Sequence, residues 1–269
     1  MKRILIIVAY DGTNYHGWQV QDNAKTIEGE LNKAIYEATG EKVEVSGASR
    51  TDAGVHSLGN LAVFDTDSSI PSDKWDKVLN QYLPEDIVVQ RSEEVASDYH
   101  PRFNKYSKKY EYHILNRNVS LPTYERNAWF IYGKLDLDAM KKGAKYLCGE
   151  HDFAAFCGAG SQVKTTVRNI TDIAITEMNL PFVTGYEELN GDATNIEEYD
   201  MNTGRMISIS VTGDGFLYNM VRIIVGTLVE VGQGRRKPED IIGVINSKDR
   251  SKAGKTAPAK GLMLMKIEY

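Results

Sequence analysis

Apolar and polar residues follow one another along the chain in patterns that predict an α+β fold. A near-continuous apolar run over 2–10 predicts a buried strand, and Thr26 can cap a helix that ends at Gly40. Tyr110, Tyr112 and Ile114 share one face of a strand over 108–116. Further strands are predicted over 43–47, 87–91, 167–177, 205–212 and 262–269. Further helices are predicted over 135–148 and 216–231, from Pro238 to about residue 246, and after a Ser72 cap with Trp75, Val78, Leu79 and Tyr82 inward.

The order of these elements suggests an internal duplication. The first half gives strand, helix, strand, strand, helix, strand, strand, and the second half again mixes strands and helices. We therefore predict two similar α+β halves, 1–107 and 108–269, with the first half carrying the catalytic motif described below.

Charge is unevenly distributed along this chain of 269 residues, which carries a net charge of −5. The stretch 169–204 contains eight acidic residues and no Lys or Arg, so without it the net charge would be +3. Its part over 181–204 is predicted to be an acidic insertion. Since the remaining chain is mildly basic, the overall charge does not exclude a nucleic-acid partner.

Several classes of protein are disfavoured by composition. The first apolar run spans only seven residues before Asp11 and no small-residue cleavage site follows, so we expect a strand there and no signal peptide. No apolar run is long enough to span a membrane. Two cysteines cannot form a disulfide framework, which favours a reducing compartment, and we predict a cytoplasmic protein.

Two motifs with superficial likeness to ligand sites lack a required feature. The segment 158–165 ends in Lys164-Thr165 like a phosphate-binding loop, but Val163 stands where that loop requires glycine. Cys148, His151 and Cys157 lack the paired spacing of zinc ligands. We therefore predict no nucleotide cofactor and no metal.

The segment from Arg50 to His56, RTDAGVH, is unlike any capping or turn signature. It places a cation, an acid and a glycine close together after a strand. One interpretation is a polar surface loop with an Arg–Asp pair. The other is a nucleophilic aspartate, Asp52, kept ionised by a nearby arginine.

This segment and others resemble a known family. The stretch 47–64, GASRTDAGVHSLGNLAVF, resembles the catalytic motif of the TruA family of pseudouridine synthases. Further matches follow in the family's order, and the resemblance spans nearly the whole chain: YDGT and YHGWQ within 10–19, PRF at 101–103, KYEY at 109–112, GEHDF at 149–153, FLYNMVRIIVG at 216–226, and TAPA and GL within 256–262.

The resemblance implies a fold and a reaction. It implies the pseudouridine synthase fold, with a mixed, mainly antiparallel central sheet flanked by helices. It also implies isomerisation of uridine to pseudouridine in the anticodon stem-loop of tRNA, around positions 38 to 40, by a homodimer that uses no cofactor or metal. In this reaction the bond between uracil N1 and C1′ of the ribose breaks, and a bond between uracil C5 and C1′ forms.

The resemblance also assigns roles. Asp52 is the catalytic aspartate, acting either by addition or by removing the 2′ proton, and Arg222 is its partner. Arg50 fills the space that the flipped uridine leaves. Tyr110 stacks on the uracil and Leu262 packs on its other side. Without the resemblance, Tyr110 would be interpreted as a core residue and Arg222 as a side chain reaching for solvent.

Cations near the Tyr110 strand are expected to contact phosphates. These are Arg102, Lys105, Lys108 and Lys109, with His56 and Asn60 as weaker candidates for RNA contact. Three alternatives stay open: a non-catalytic RNA-binding module, a hydrolase that uses Asp52, and a synthase with another RNA target. A hydrolase would be expected to supply a second carboxylate at suitable spacing, and no motif does so.

Overall fold

A computed structural model describes residues 1–102, 107–161, 163–180 and 204–268. The helices of this part are α1 (Ile27–Thr39), α2 (Trp75–Leu79), α3 (Leu137–Lys145), α4 (Met220–Gly232) and α5 (Asp240–Ser247). Its strands are β1 (Lys2–Tyr10), β2 (Ser46–Gly47), β3 (His56–Thr66), β4 (Ile87–Val95), β5 (Ser107–Asn116), β6 (Trp129–Ile131), β7 (Gly149–Asp152), β8 (Val167–Asn179), β9 (Arg205–Gly213) and β10 (Leu262–Glu268).

All the described strands belong to one mixed sheet. Its main order is β4-β1-β3-β10-β5-β9-β8-β7, while β2 pairs with β3 and β6 pairs with β5. The β3–β10 and β5–β6 pairs are parallel and the other pairs are antiparallel. The predicted α+β class with a mainly antiparallel sheet is therefore confirmed.

The last strand joins the two parts of the sheet that carry the sequence motifs. β10 lies between β3, which follows the RTDAG segment, and β5, which carries Tyr110. Leu262 at the start of β10 is paired with Tyr112 of β5. Residues that are far apart in the chain thus meet at the centre of the sheet.

Apolar side chains cover both faces of β1 and β3. Ile4 and Phe64 belong to one buried cluster with Leu31 of α1 and Trp75 of α2. The alternate residues Leu5, Leu61 and Val63 belong to a larger cluster, which includes residues of α3, α4 and α5. This alternation is what a strand buried on both faces requires. It explains why β1 is almost continuously apolar.

Several predicted elements are confirmed with small shifts. The Thr26 side chain accepts a hydrogen bond from the Gly29 amide at the start of α1, and Gly40 ends the helix with φ of 76°. α3 and α4 are shorter than predicted. α4 begins at Met220 because Asn219 before it has a left-handed φ of 60°. α5 begins at Asp240, two residues after Pro238.

Other predictions of local structure are wrong. Of the strand predicted over 43–47, only Ser46 and Gly47 pair with β3. Ser72 does not cap α2, which begins after Lys74 without a side-chain cap, and Tyr82 is exposed rather than inward. The short strands β6 and β7 were not predicted. The acidic segment 181–203 lies outside the described residues, and the division into halves at residue 107 remains a prediction.

Candidate active site

The loop between β2 and β3 turns successive side chains to opposite sides. Ser49 and Thr51 are buried, whereas Arg50 is exposed and Asp52 is half-buried. After Asp52 the chain reverses in a turn in which the Val55 amide donates to the Asp52 carbonyl, and Gly54 has a φ of 77°. A positive φ at this position favours glycine, which accounts for the glycine of the motif. The loop therefore presents Arg50 and Asp52 on one side and anchors itself on the other.

The anchoring side is a closed hydrogen-bond network. The Ser49 amide donates to Asn60 Oδ1 over 3.2 Å, and Asn60 Nδ2 donates to the Ser49 carbonyl over 2.9 Å. The hydroxyls of Ser49 and Tyr110 share a hydrogen bond of 2.7 Å. Those of Thr51 and Tyr10 share one of 2.8 Å. Because buried polar groups cost free energy unless they are paired, this network defines the loop conformation.

His56 and Asn60 belong to the interior. Asn60 is 0% exposed and His56 is 2% exposed. The His56 ring accepts from the Gly12 amide at Nδ1 and lies 2.9 Å from the Arg126 carbonyl at Nε2. Both side chains are thus buried, and the expectation that they contact RNA stays a prediction. Their polarity serves to hold backbone segments together.

Asp52 faces Arg222 across the fold. Arg222 Nη1 lies 3.2 Å from Asp52 Oδ2, and each side chain is 17% exposed. Arg222 also donates to the Asn219 side chain over 2.7 Å and to the Ala257 carbonyl over 2.8 Å. These contacts fix the guanidinium toward Asp52, so the interpretation of Arg222 as a solvent-seeking side chain is wrong.

The pKa of Asp52 reflects two opposing influences. Burial raises the pKa of its carboxyl above the ordinary value, and the charge and hydrogen bond of Arg222 act in the opposite direction. Burial is the larger effect. Arg222 is thus the group that limits the rise of this pKa.

Asp52 lines a cleft that has a volume of about 560 Å³. Its charged lining residues are Arg50, Asp52, Arg102 and Lys108; the others are Ala48, Ser49, Thr51, Val55, Tyr110, Gly160, Ser161, Val163, Phe216, Leu217, Tyr218, Asn219, Met220, Val221 and Leu262. A cleft with an apolar wall and a few convergent polar groups is the usual form of a small-ligand or nucleotide site.

Tyr110 and Leu262 form part of the apolar wall. Tyr110 is 7% exposed and packs edge-to-face on Phe216 with 5.3 Å between ring centroids. Burial, together with the charge of Asp52, raises the pKa of Tyr110 to about 12. The phenol is therefore protonated at neutral pH, and little of its surface is exposed.

The predicted phosphate contacts have different positions. Arg102 and Lys108 line the cleft. Lys109 alternates with Tyr110 in β5 and is not among the lining residues, so the structure does not place it in the cleft. Lys105 lies outside the described residues.

Sequence reasoning missed several contributors to this site. Ser49 and Asn219 hold Tyr110 and Arg222, and Phe216 supports the Tyr110 ring. Gly160, Ser161 and Val163 also line the cleft. They belong to the segment 158–165, which lacks a glycine that a phosphate-binding loop requires. The alternation of Ser49, Arg50, Thr51 and Asp52 was a signal for the role of Ser49, because successive residues of an extended chain face opposite ways.

Two further observations concern ligands and membranes. Within residues 1–102, 107–161, 163–180 and 204–268, no group of three or more His, Cys, Asp or Glu side chains is arranged to hold a metal ion. None of the helices in the same ranges has the length and apolarity needed to cross a membrane.

Comparison with known proteins gives consistent matches. A family model described as tRNA pseudouridine synthase matches residues 6–104 and 144–269. The tRNA pseudouridine synthase A of Acetivibrio thermocellus is 44% identical over 269 residues, covering 100% of both chains. The tRNA pseudouridine synthase A 2 of Clostridium tetani is 47% identical, covering 100% of this chain and 99% of that protein.

A solved structure gives only a weak likeness. A chain of the "Structure of H/ACA RNP bound to a substrate RNA containing 2'-deoxyuridine" aligns with a TM-score of 0.31 and 10% identity, over 84% of this chain and 53% of that chain. A likeness at this level carries no argument.

Proposed function

The chain belongs to the tRNA pseudouridine synthase family, and from this premise we propose that it isomerises uridine to pseudouridine in tRNA. We propose further that its targets are uridines of the anticodon stem-loop at positions 38, 39 and 40. The observation that carries the proposal is the Asp52–Arg222 pair, which lies at a cleft bordered by Tyr110 and by three cations.

Asp52 is the nucleophile in this proposal. The reaction breaks the bond between N1 and C1′ and forms a bond between C5 and C1′, while C5 loses a proton and N1 gains one. No electron acceptor and no phosphate transfer are needed for this balance. What the enzyme must supply is an ionised carboxylate in a cleft largely shielded from water, and Arg222 favours that ionised form.

The target base must leave its helix to reach Asp52. Unstacking and unpairing a nucleotide costs a few kcal/mol. Arg50 is exposed, lines the cleft and lies two residues before Asp52, which suits it to fill the vacated space. Tyr110 and Leu262 lie in the apolar wall, where a flipped uracil would be packed between them.

The proposed assembly is a homodimer in the cytoplasm, with tRNA bound across both subunits. Sedimentation velocity at micromolar concentration tests the dimer directly. A single species of twice the chain mass of 30.1 kDa is expected, and a monomer would contradict this part of the proposal.

Release of tritium from uracil C5 tests the proposed reaction. Wild-type protein mixed with tRNA tritiated at that position should release tritium, because pseudouridine formation replaces the C5 proton. Asp52→Ala should lower the single-turnover rate by about 10³-fold or more while tRNA binding is retained. The matched control is Asp138→Ala, which removes an exposed carboxylate of α3 outside the cleft lining.

Three outcomes would contradict the proposal in different ways. Full release by Asp52→Ala would remove Asp52 from the chemistry. Binding of tRNA by the wild type without any release would favour a non-catalytic RNA-binding module. Release from uridines outside the anticodon stem-loop, found by sequencing the modified positions, would overturn the proposed target.

A further inference from the structure

Two cations at one edge of the cleft donate to adjacent carbonyls of the chain. Arg102 Nη2 donates to the Gly47 carbonyl over 3.2 Å, and Lys108 Nζ donates to the Ala48 carbonyl over 2.8 Å. Both side chains line the cleft beside the loop that carries Asp52. The two positive charges therefore lie close to one small region of the chain, Gly47 and Ala48, beside the loop that carries Asp52.

In the part of the chain that the structure describes, neither cation forms an ion pair with a carboxylate, although the charge of Glu28 acts on Arg102 from beyond ion-pair distance. A lysine ammonium has three donors and a guanidinium has five, and among the described residues one donor of each side chain is bound to a carbonyl. Donors and uncompensated charge thus remain available to an anion in the cleft.

We propose that Arg102 and Lys108 together bind one backbone phosphate next to the flipped uridine, and that this binding takes up a proton at Lys108. The inference rests on the proposed function, because it takes the anion to be a phosphate of the RNA substrate. A phosphate accepts several charge-assisted hydrogen bonds at once, which matches a guanidinium and an ammonium at adjacent positions.

The proton uptake follows from the electrostatics of Lys108. Burial lowers the pKa of Lys108 to about 8, and the charge of Arg102 acts in the same direction. Burial also lowers the pKa of Arg102, repulsion by Arg50 adds to this effect, and the charge of Glu28 acts in the opposite direction. A phosphate reverses this balance, because a negative charge favours the protonated amine.

Other charged groups lie around the cleft or along the neighbouring strands. Asp52 lies in the motif loop, Lys266 and Glu268 lie on β10, and Asp214 follows β9. Among the charges, that of Arg102 is the one that acts on the Lys108 pKa. The free amine is therefore partly neutral near pH 8, and bound phosphate would restore its charge.

The sign of the pH dependence is fixed by this difference. A group whose pKa is higher in the RNA complex than in the free protein is already protonated when the pH lies below its pKa in the free protein, and binding is then strongest. As pH rises above that value, binding requires proton uptake and the affinity falls. With a free pKa of about 8, affinity for RNA should fall by up to about tenfold between pH 7 and pH 9 if the amine stays charged in the complex.

Calorimetry at pH 8 in two buffers of different ionisation enthalpy measures the protons taken up. The binding partners are an anticodon stem-loop RNA and the Asp52→Asn variant, so that no turnover contributes heat. Uptake of about half a proton is expected. Adding Lys108→Met should abolish that uptake and flatten the pH dependence, whereas Lys77→Met, at an exposed side chain of α2, should change neither. Equal uptake with and without Lys108 would overturn the inference.

A second measurement needs no change at Lys108. Single methylphosphonate linkages, which are uncharged, are placed in turn along the RNA. One linkage beside the target uridine should eliminate proton uptake and reduce the salt dependence of binding by about one ion. Uptake that survives neutralisation of every linkage would overturn the phosphate assignment.

The two proposals fail in distinguishable ways. Tritium release without Lys108-dependent proton uptake would overturn this inference and leave the proposed function standing. Proton uptake on RNA binding without tritium release would overturn the proposed function alone.

Discussion

The two sides of the loop that carries Asp52 differ in how completely their polar groups are paired. On the inner side, Ser49 and Thr51 join Asn60, Tyr10 and Tyr110 in a closed network. On the cleft side, the side chains of Arg50, Arg102 and Lys108 have no carboxylate partner among the described residues. The inner side therefore defines the shape of the loop, and the cleft side holds charge available for a ligand.

This contrast separates stability from function at neighbouring positions. Residues of the inner side should affect the free energy of unfolding and, through loop geometry, activity as well. Residues of the cleft side should affect activity or binding with little effect on stability. Substitutions at Asn60, Tyr110 and Arg50 test this division, and their expected effect on stability decreases in that order.

The largest effect is expected at Asn60. Its side chain pairs with both the amide and the carbonyl of Ser49, so Asn60→Ala leaves two buried backbone groups unpaired. The free energy of unfolding should fall by about 2–4 kcal/mol, measured by urea denaturation. The single-turnover rate of the folded fraction should fall too, because the loop loses its anchor.

Asn80 offers a matched control for that prediction. Its amide pairs in the same way with the amide and carbonyl of Val89, over 2.8 and 2.9 Å, but away from the cleft. Asn80→Ala should reduce stability and leave the rate of the folded protein unchanged. If both variants retain full activity, the inner network does not define the catalytic geometry.

An intermediate effect is expected at Tyr110. Tyr110→Phe removes the hydroxyl bound to Ser49 but keeps the ring against Phe216. Unfolding free energy should fall by about 1 kcal/mol and RNA affinity should be nearly unchanged. The single-turnover rate should fall, because the loop that carries Asp52 loses the hydrogen bond between Ser49 and Tyr110. Tyr132→Phe, at a side chain 71% exposed, is the control. An unchanged single-turnover rate for Tyr110→Phe would contradict the claim that the inner network shapes the catalytic loop.

The smallest effect on stability is expected at Arg50. Because the side chain is exposed, Arg50→Ala should change the free energy of unfolding by less than about 0.5 kcal/mol. Its single-turnover rate should nevertheless fall by about tenfold or more, since the flipped state, which costs a few kcal/mol, loses its support. Arg91→Ala on β4 is the control. A normal rate for Arg50→Ala would remove Arg50 from base flipping.

Regular patterns made most of the fold predictable from sequence. β1, α1, β5, β8 and β9 lie close to their predicted positions, because apolar periodicity reports the buried face directly. The prediction of a strand over 43–47 was largely wrong although Val45 is buried. The Val45 amide donates to the Asn32 side chain and not to a neighbouring strand. The prediction that Tyr82 faces inward was wrong because α2 ends at Leu79, before it reaches Tyr82. Such endings depend on tertiary contacts that periodicity does not contain.

The site was predictable only in part. Spacing along the chain identified the RTDAG loop, but Arg222 is 170 residues away from Asp52, and only the family resemblance connected the two. For His56 and Asn60, which are buried, polarity near a motif did not reveal that their side chains form internal hydrogen bonds. Ser49 was overlooked because its role depends on Tyr110, which reaches it from another strand.

The pH dependence of the single-turnover rate tests the pairing of Asp52 with Arg222 most directly. Since the ionised carboxylate is required, the rate should be present above the Asp52 pKa and lost as pH falls through it. The raised pKa places the acid midpoint of the wild type above the ordinary value of 3.8. Arg222→Gln should move the midpoint upward by about 1–3 pH units, while Arg222→Lys, which keeps the charge, should move it less. An unchanged midpoint in Arg222→Gln would contradict the claim that Arg222 keeps Asp52 ionised for attack.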